Sequence, residues 1–384
     1  MSSQPAHPLT LIPGPIEFDD EVLQAMSHPS IAHTAQPFVE VFGDVLSRLR
    51  TLFISKDKGA QPFVLAGSGT LGWDITGVNF VERGENVLVL NTGFFSDGFA
   101  KCLEIYGAKV DQLGAPIGDR PSLEEIEKAL KSKNYKLITI THVDTSTGVL
   151  SDVESIAKLV HRVSPSTLIV IDGVCSVASE VIKFDEWKLD YVVGASQKAI
   201  GAPAGLSITF ASARAIETIK SRSSPVPGHF TNLLNWIPVM QAYESKKPAY
   251  FATPAIQNIY ALHTSLAQYT DSEQSVLDRI EVHRKCSDQV KDRVEKLGLK
   301  IVAVDRAAAA HGMTAVYLPH GVENTQLLPS LLKKDIVFSG GIHKAIVTKY
   351  FRIGHMGVSA TKPELGHLDK ALSALEETLK EVSP

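Results

Sequence analysis

At 384 residues, 44% of them hydrophobic, the chain is too long for one small core and apolar enough to pack, which predicts two domains or a large domain with a smaller one appended. A net charge of −4, with no basic block interleaved with aromatics, argues against nucleic acid or an anionic membrane surface as a partner. No apolar stretch approaches the roughly 18 residues that a spanning helix needs, so no membrane partner is expected either.

The first twenty residues are rich in Pro and Gly and are expected to pack as a segment near the active site, against the C-terminal part of the chain. Phe38, Phe42, Val45, Leu46, Leu49 and Phe53 then mark an amphipathic helix whose apolar stripe is core. From about residue 60 to 210 short apolar runs alternate with helical patterns: Phe63-Val64-Leu65, Val87 to Leu90, Leu137 to Ile140, Thr167 to Ile171, Tyr191-Val192-Val193 and Leu206 to Phe210. Ser122 with Glu125 and Ser151 with Glu154 read as capping boxes between them. That alternation predicts an α/β fold with a mostly parallel sheet flanked by helices. A helix follows Thr253-Pro254, and another begins near residue 275 and ends at Gly298. Strand-like Ile301 to Val304 and Thr314 to Leu318 and a last helix from Leu365 to Val382 complete the chain. The expected division is residues 21–264 for the large domain and 265–384 for a small α+β domain.

Ligands of such sheets bind beyond the carboxyl ends of the strands. The residues found there are Gly67-Ser68-Gly69-Thr70, Phe94-Phe95, Thr145 to Gly148, Asp172 and Ser196-Gln197-Lys198, so all can share one rim. Gly67 to Gly72 matches GxGxxG, but the next apolar run ends in Asn91 where a dinucleotide site needs an acid for the ribose. A glycine turn at a helix N-terminus, with two hydroxyls nearby, serves any phosphate.

Lys198 follows a strand and precedes small residues, Ala199-Ile200-Gly201-Ala202, a composition unlike a charged surface. A lysine amine in a desolvated or cationic cleft can attack an aldehyde, and Asp172, with no cation adjacent in sequence, suits a protonated pyridine nitrogen. This pair points to pyridoxal 5'-phosphate. Arg352 lies in strand-like Tyr350 to Gly354, and its planar fork suits a carboxylate. Cys102, Cys175 and Cys286 lie far apart without CxxC spacing, so no zinc site or disulfide framework is expected. His142 is read as structural, and no histidine spacing suggests a metal.

Together these motifs resemble the class V aminotransferases of fold type I. The resemblance covers nearly the whole chain, from Leu11-Ile12-Pro13-Gly14-Pro15 through Gly67 to Thr70, Thr145 to Gly148, Asp172 and Ser196-Gln197-Lys198 to Arg352-Ile353-Gly354. It implies that Lys198 is the Schiff-base lysine, Asp172 the partner of the pyridine nitrogen and Phe95 the stacking ring, where the family often has Trp. It also implies phosphate contacts from Ser68, Gly69, Thr70 and Gln197, with Thr145 near the cofactor's phenolic oxygen. Arg352 and Gly14 then bind substrate, and Tyr250 and Thr253 reach the phosphate of a neighbouring subunit, so that a homodimer shares its active sites. The implied reaction is amino transfer between small amino acids and 2-oxo acids, with alanine and glyoxylate foremost, giving pyruvate and glycine. Serine is an alternative donor. An NAD-dependent oxidoreductase built on Gly67 to Gly72, and a silent binding protein of the same fold, are the rivals. The start of the chain lacks a basic region followed by an apolar core, and its last residues, Val382-Ser383-Pro384, are not a peroxisomal tripeptide. A cytoplasmic protein is therefore expected, with mitochondria as the alternative.

Overall fold

The computed structural model describes residues 4–382; Met1 to Ser3 of the N-terminal segment and Ser383-Pro384 of the tail lie outside the described residues. Seven strands form the central sheet in the order Gln61–Ala66, Leu206–Ala211, Tyr191–Ala195, Leu168–Asp172, Leu137–Thr141, Asn86–Asn91 and Lys109–Gly114. Only Leu206–Ala211 runs antiparallel to its neighbours; the other pairings are parallel. The three strands Leu137–Thr141, Leu168–Asp172 and Tyr191–Ala195 are buried along their whole length, as expected for parallel strands covered by helices on both faces. Their near-continuous apolar sequence is what made them readable.

The last strand of the sheet, Lys109–Gly114, has no such signal. It is an edge strand whose Lys109, Asp111 and Gln112 side chains face water, which blunts the edge and hides it from an apolar pattern. Two other expectations are corrected. The helix Val153–Val163 is capped by Asp152, whose carboxylate accepts from the Ser155 N–H at 3.1 Å, while Ser151 donates instead to the Thr141 carbonyl at 2.8 Å. Ile301 to Val304 is not a strand; Ile301 makes a single bridge to Val316, because the chain there bends away after Gly298, which takes a left-handed φ of 75° behind the helix Glu273–Lys296. The Ser122–Glu125 capping box forms as read.

A second cluster of buried side chains, including Leu9, Leu11, Val290, Val316, Phe351, Ile353 and Leu375, covers the antiparallel strands Met313–Tyr317, Tyr350–Gly354 and Ser339–Gly340. The N-terminal segment belongs to this layer: Leu9–Thr10 pairs in parallel with Ile336–Val337, and the Leu11 carbonyl accepts from Gly354 N–H at 2.8 Å. Two residues further on, it crosses to the mouth of the central sheet. No helix of the described residues is long and apolar enough to cross a membrane.

Three histidines are buried, and burial holds His142 down to about 4 and His283 down to about 3, with His355 also well below its ordinary value. His283 is fixed as a neutral ring, since Nε2 accepts from Gly357 N–H at 3.1 Å while Nδ1 faces the Arg279 carbonyl at 2.8 Å. The unfolded chain takes up protons below about pH 6.5 and the folded one does not, so stability is complete above that pH and is lost on acidification. Each of His142 and His283 then removes about 2 kcal/mol by about pH 5. Melting temperature followed from pH 8 to pH 4.5 falls below pH 6.5, and falls less in His283→Gln; parallel curves for the two proteins would contradict this.

Candidate active site

The helix Gly69–Phe80 follows the strand Gln61–Ala66 directly, and it lies close against Tyr191–Ala195 because Gly72 has no Cβ: an added one would stand 2.2 Å from Val193 Cγ1. Packing thus accounts for part of the glycine pattern. It also leaves the helix N-terminus facing the sheet's rim, with the Ser68 hydroxyl not used as a cap and the first backbone N–H groups aimed outward.

Below that terminus a cavity of about 140 Å³ is lined by Ser68, Gly69, Thr70, Trp73, Phe95, Thr145, Asp172, Cys175, Gln197 and Lys198, with Val143 and Val174. Larger clefts lie elsewhere, one of about 570 Å³ beside Arg214, but they do not collect the strand-end residues. Eight sequence-predicted residues are therefore brought together: Ser68, Gly69, Thr70, Phe95, Thr145, Asp172, Gln197 and Lys198.

Asp172 closes its strand and is buried. Its Oδ1 accepts from Val174 N–H at 3.1 Å and its Oδ2 from the Trp73 indole at 3.0 Å. Burial lifts its carboxyl to about 6 in spite of these donors, with the nearby Asp144 adding to the rise and Lys198 opposing it. Asp144 is itself buried and takes hydrogen bonds from the backbone and side chain of both Ser146 and Ser96. It therefore ties the start of helix Phe94–Ile105, which carries Phe95, to the turn that carries Thr145.

Lys198 stands in the turn after Tyr191–Ala195, and its ammonium donates to the Pro13 carbonyl. Gly14, at φ 111°, lies so close that a Cβ would fall 2.5 Å from Lys198 Cδ and 2.8 Å from Nζ. The N-terminal segment thus presses on the lysine itself. Burial lowers the Lys198 pKa and the Arg352 charge lowers it further, against the Cys175 thiol and Asp172. The backbone behind it is clamped: Arg279 Nη2 donates to the Ala199 carbonyl at 2.9 Å while its guanidinium lies 4.0 Å from the Tyr269 ring centre, and the Tyr269 hydroxyl donates to the Ile200 carbonyl at 3.2 Å.

Arg352 is buried at the Thr145 side of the cavity without lining it. Its Nε donates to the Gly340 carbonyl at 2.8 Å and its Nη1 to the Thr145 carbonyl at 3.2 Å. Among the described residues no carboxylate lies within 4.0 Å of it, and burial lowers its pKa. A buried guanidinium held only by carbonyls is a ready anion site. Tyr250, 62% exposed, and Thr253, also exposed, are not brought to this cavity within one chain.

Sequence reasoning missed Trp73, Asp144, Cys175 and Arg279. Cys175 lies only three residues past Asp172, so a strand-end residue signals it; its thiol is buried and pushed up to about 12. Nothing local marks the other three.

The residues present fit pyridoxal phosphate. Asp172 is buried and keeps lone pairs free beyond its two hydrogen bonds, Gln197 has a buried Oε1 without a partner, and an open helix terminus stands at the other end of the cavity. Fold and site define a fold type I pyridoxal-phosphate enzyme. The profile of the class-V aminotransferases matches residues 66–362. Alanine–glyoxylate aminotransferase 1 of Saccharomyces cerevisiae is 43% identical over 380 residues, 96% of this chain and 97% of its own. Serine–glyoxylate aminotransferase of Hyphomicrobium methylovorum is 29% identical, over 91% and 85%. The crystal structure of an alanine–glyoxylate aminotransferase from Nostoc sp. superposes with a TM-score of 0.89 at 28% identity, over 98% of this chain and 96% of that one. The chain belongs to the class V aminotransferases, and its cofactor is pyridoxal phosphate.

Proposed function

We propose that the protein transfers the amino group of L-alanine to glyoxylate, giving pyruvate and glycine, with serine as the alternative donor. The observation that carries this reading is a buried arginine, Arg352, without a carboxylate partner among the described residues, whose charge acts on the desolvated Lys198. One such anchor suits substrates with one carboxylate. The likeness to a yeast enzyme named for alanine and glyoxylate supports the choice of pair.

When bound, pyridoxal phosphate supplies the electron-withdrawing ring that takes up the charge released at the amino acid's Cα. Asp172 keeps a proton at the ring nitrogen, Arg352 fixes the carboxylate, and the Lys198 amine takes the Cα proton and returns it. Ser68, Gly69, Thr70 and Gln197 would hold the cofactor's phosphate, Phe95 would be its stacking ring, Thr145 would serve its phenolic oxygen, and the Gly14 backbone would meet the substrate. In this reading residues 21–264 carry the cofactor and 265–384 form the small domain that brings Arg352. A homodimer completes the site, with Tyr250 and Thr253 extending to the partner's phosphate; their exposure in the single chain supports this. We assign the protein to the cytoplasm, with the mitochondrion second.

The test is an assay of purified protein over alanine, serine and aspartate against glyoxylate and pyruvate. Alanine with glyoxylate turns over fastest; a preference for aspartate would overturn the reading. In Arg352→Lys, which keeps the charge and loses the fork, KM for alanine rises about 10- to 100-fold while the visible colour of the cofactor stays. Unchanged KM removes Arg352 from the site.

A further inference from the structure

We propose that the Tyr350 hydroxyl is a positioning group for Arg352, fixing the two carbonyl groups that aim the guanidinium and so setting how tightly the enzyme takes a small carboxylate. This rests on the assignment of Arg352 as the carboxylate anchor and deepens it.

Arg352 is aimed by acceptors on two separate segments, Gly340 on one side and Thr145 on the other. The Tyr350 hydroxyl lies between the same two segments. It donates to the Ser146 carbonyl, next to Thr145, and accepts from the N–H groups of Ile342 and His343, each at 3.0 Å, just beyond Gly340. One donor and two acceptor positions are all that a phenol offers, so the group is fully used. Tyr350 is fully buried, two positions before Arg352 on the strand Tyr350–Gly354.

The loop is shaped to receive the ring. Gly341 stands where a Cβ would lie 2.3 Å from Tyr350 Cε1 and 2.6 Å from the Val347 carbonyl, so a side chain there displaces the ring. Gly341 N–H also donates to the Tyr350 carbonyl at 3.1 Å, which Asn324 Nδ2 reaches from the other side at 2.9 Å. A phenylalanine at this strand position would pack as well. The hydroxyl's distinct effect is to couple the turn that carries Thr145 to the loop that follows the strand Ser339–Gly340, and the guanidinium spans that same gap.

Tyr350→Phe keeps the ring and removes the coupling. In the holoenzyme the expected result is a KM for alanine, and a dissociation constant for pyruvate by titration calorimetry, each raised about three- to tenfold, with kcat changed less than about twofold and the cofactor's visible band unaltered. A purely structural role would lower the melting temperature without this split between KM and kcat. Gly341→Ala, which pushes the ring aside while leaving the hydroxyl, is the second variant and weakens pyruvate binding in the same direction. Wild-type pyruvate affinity in Tyr350→Phe, beside weakened affinity in Arg352→Lys, overturns the role of Tyr350 alone. Wild-type affinity in Arg352→Lys overturns the carboxylate anchor on which it rests.

Discussion

Lys198→Ala lowers turnover by at least about 10³-fold and yields a protein in which borohydride no longer fixes the cofactor to the chain. Two properties are lost together, the covalent attachment and the base that moves the Cα proton. The structure prepares the amine for both: burial and the Arg352 charge favour the neutral form, and the clamp on the Ala199 and Ile200 carbonyls fixes the backbone from which the side chain extends. The Pro13 carbonyl gives the free lysine an acceptor when it is not attached, and Gly14 keeps the path beside it clear. Absorbance of the purified variant before and after borohydride, with alanine and glyoxylate turnover on the same sample, is the measurement. Turnover within tenfold of the wild type would show that another group moves the proton.

The residues that could be read from sequence are those whose neighbours along the chain announce them. Asp172 and Lys198 each follow a strand that is buried on both faces, and such a strand is a continuous apolar run. Ser68 to Thr70 and Thr145 were marked in the same way. The partners that tune these groups come from far along the chain. Trp73 reaches Asp172 across 99 positions from within a largely apolar helix, where an indole reads as core. Asp144 serves Ser96 across 48 positions, and Arg279 reaches Ala199 across 80. Burial and hydrogen bonding of this kind are properties of the packed molecule, with no local spacing to reveal them. The edge strand Lys109–Gly114 was illegible for the opposite reason, since its solvation makes it resemble a loop. Asp152 and Ser151 are both good caps, and only the Thr141 carbonyl, which takes the Ser151 hydroxyl, decides between them.

Asp172→Asn separates catalysis from stability. Turnover falls about 10²- to 10³-fold, because a neutral amide cannot hold the proton at the pyridine nitrogen as a carboxylate does. The second effect is in the cofactor-free protein. An acid whose folded pKa is raised binds its proton more tightly in the fold than in the unfolded chain, so its burial costs nothing below its unfolded pKa near 3.8 and costs more as pH rises toward the folded value of about 6. Above that pH the cost levels off at about 3 kcal/mol. Bound cofactor, with its ring nitrogen protonated, offsets it. The buried histidines slope the other way between pH 4 and 6.5, so the group is isolated by subtraction: denaturant midpoints of cofactor-free wild type minus those of cofactor-free Asp172→Asn, from pH 4 to pH 8. The amide leaves either the Trp73 indole or the Val174 N–H without an acceptor, a penalty of about 1–3 kcal/mol that does not change with pH. It shifts the difference curve as a whole and leaves its slope intact. The difference therefore declines through pH 4 to 6 and flattens beyond. If it is flat throughout, Asp172 does not hold a buried charge in want of a cation, and its pairing with the ring nitrogen fails with it.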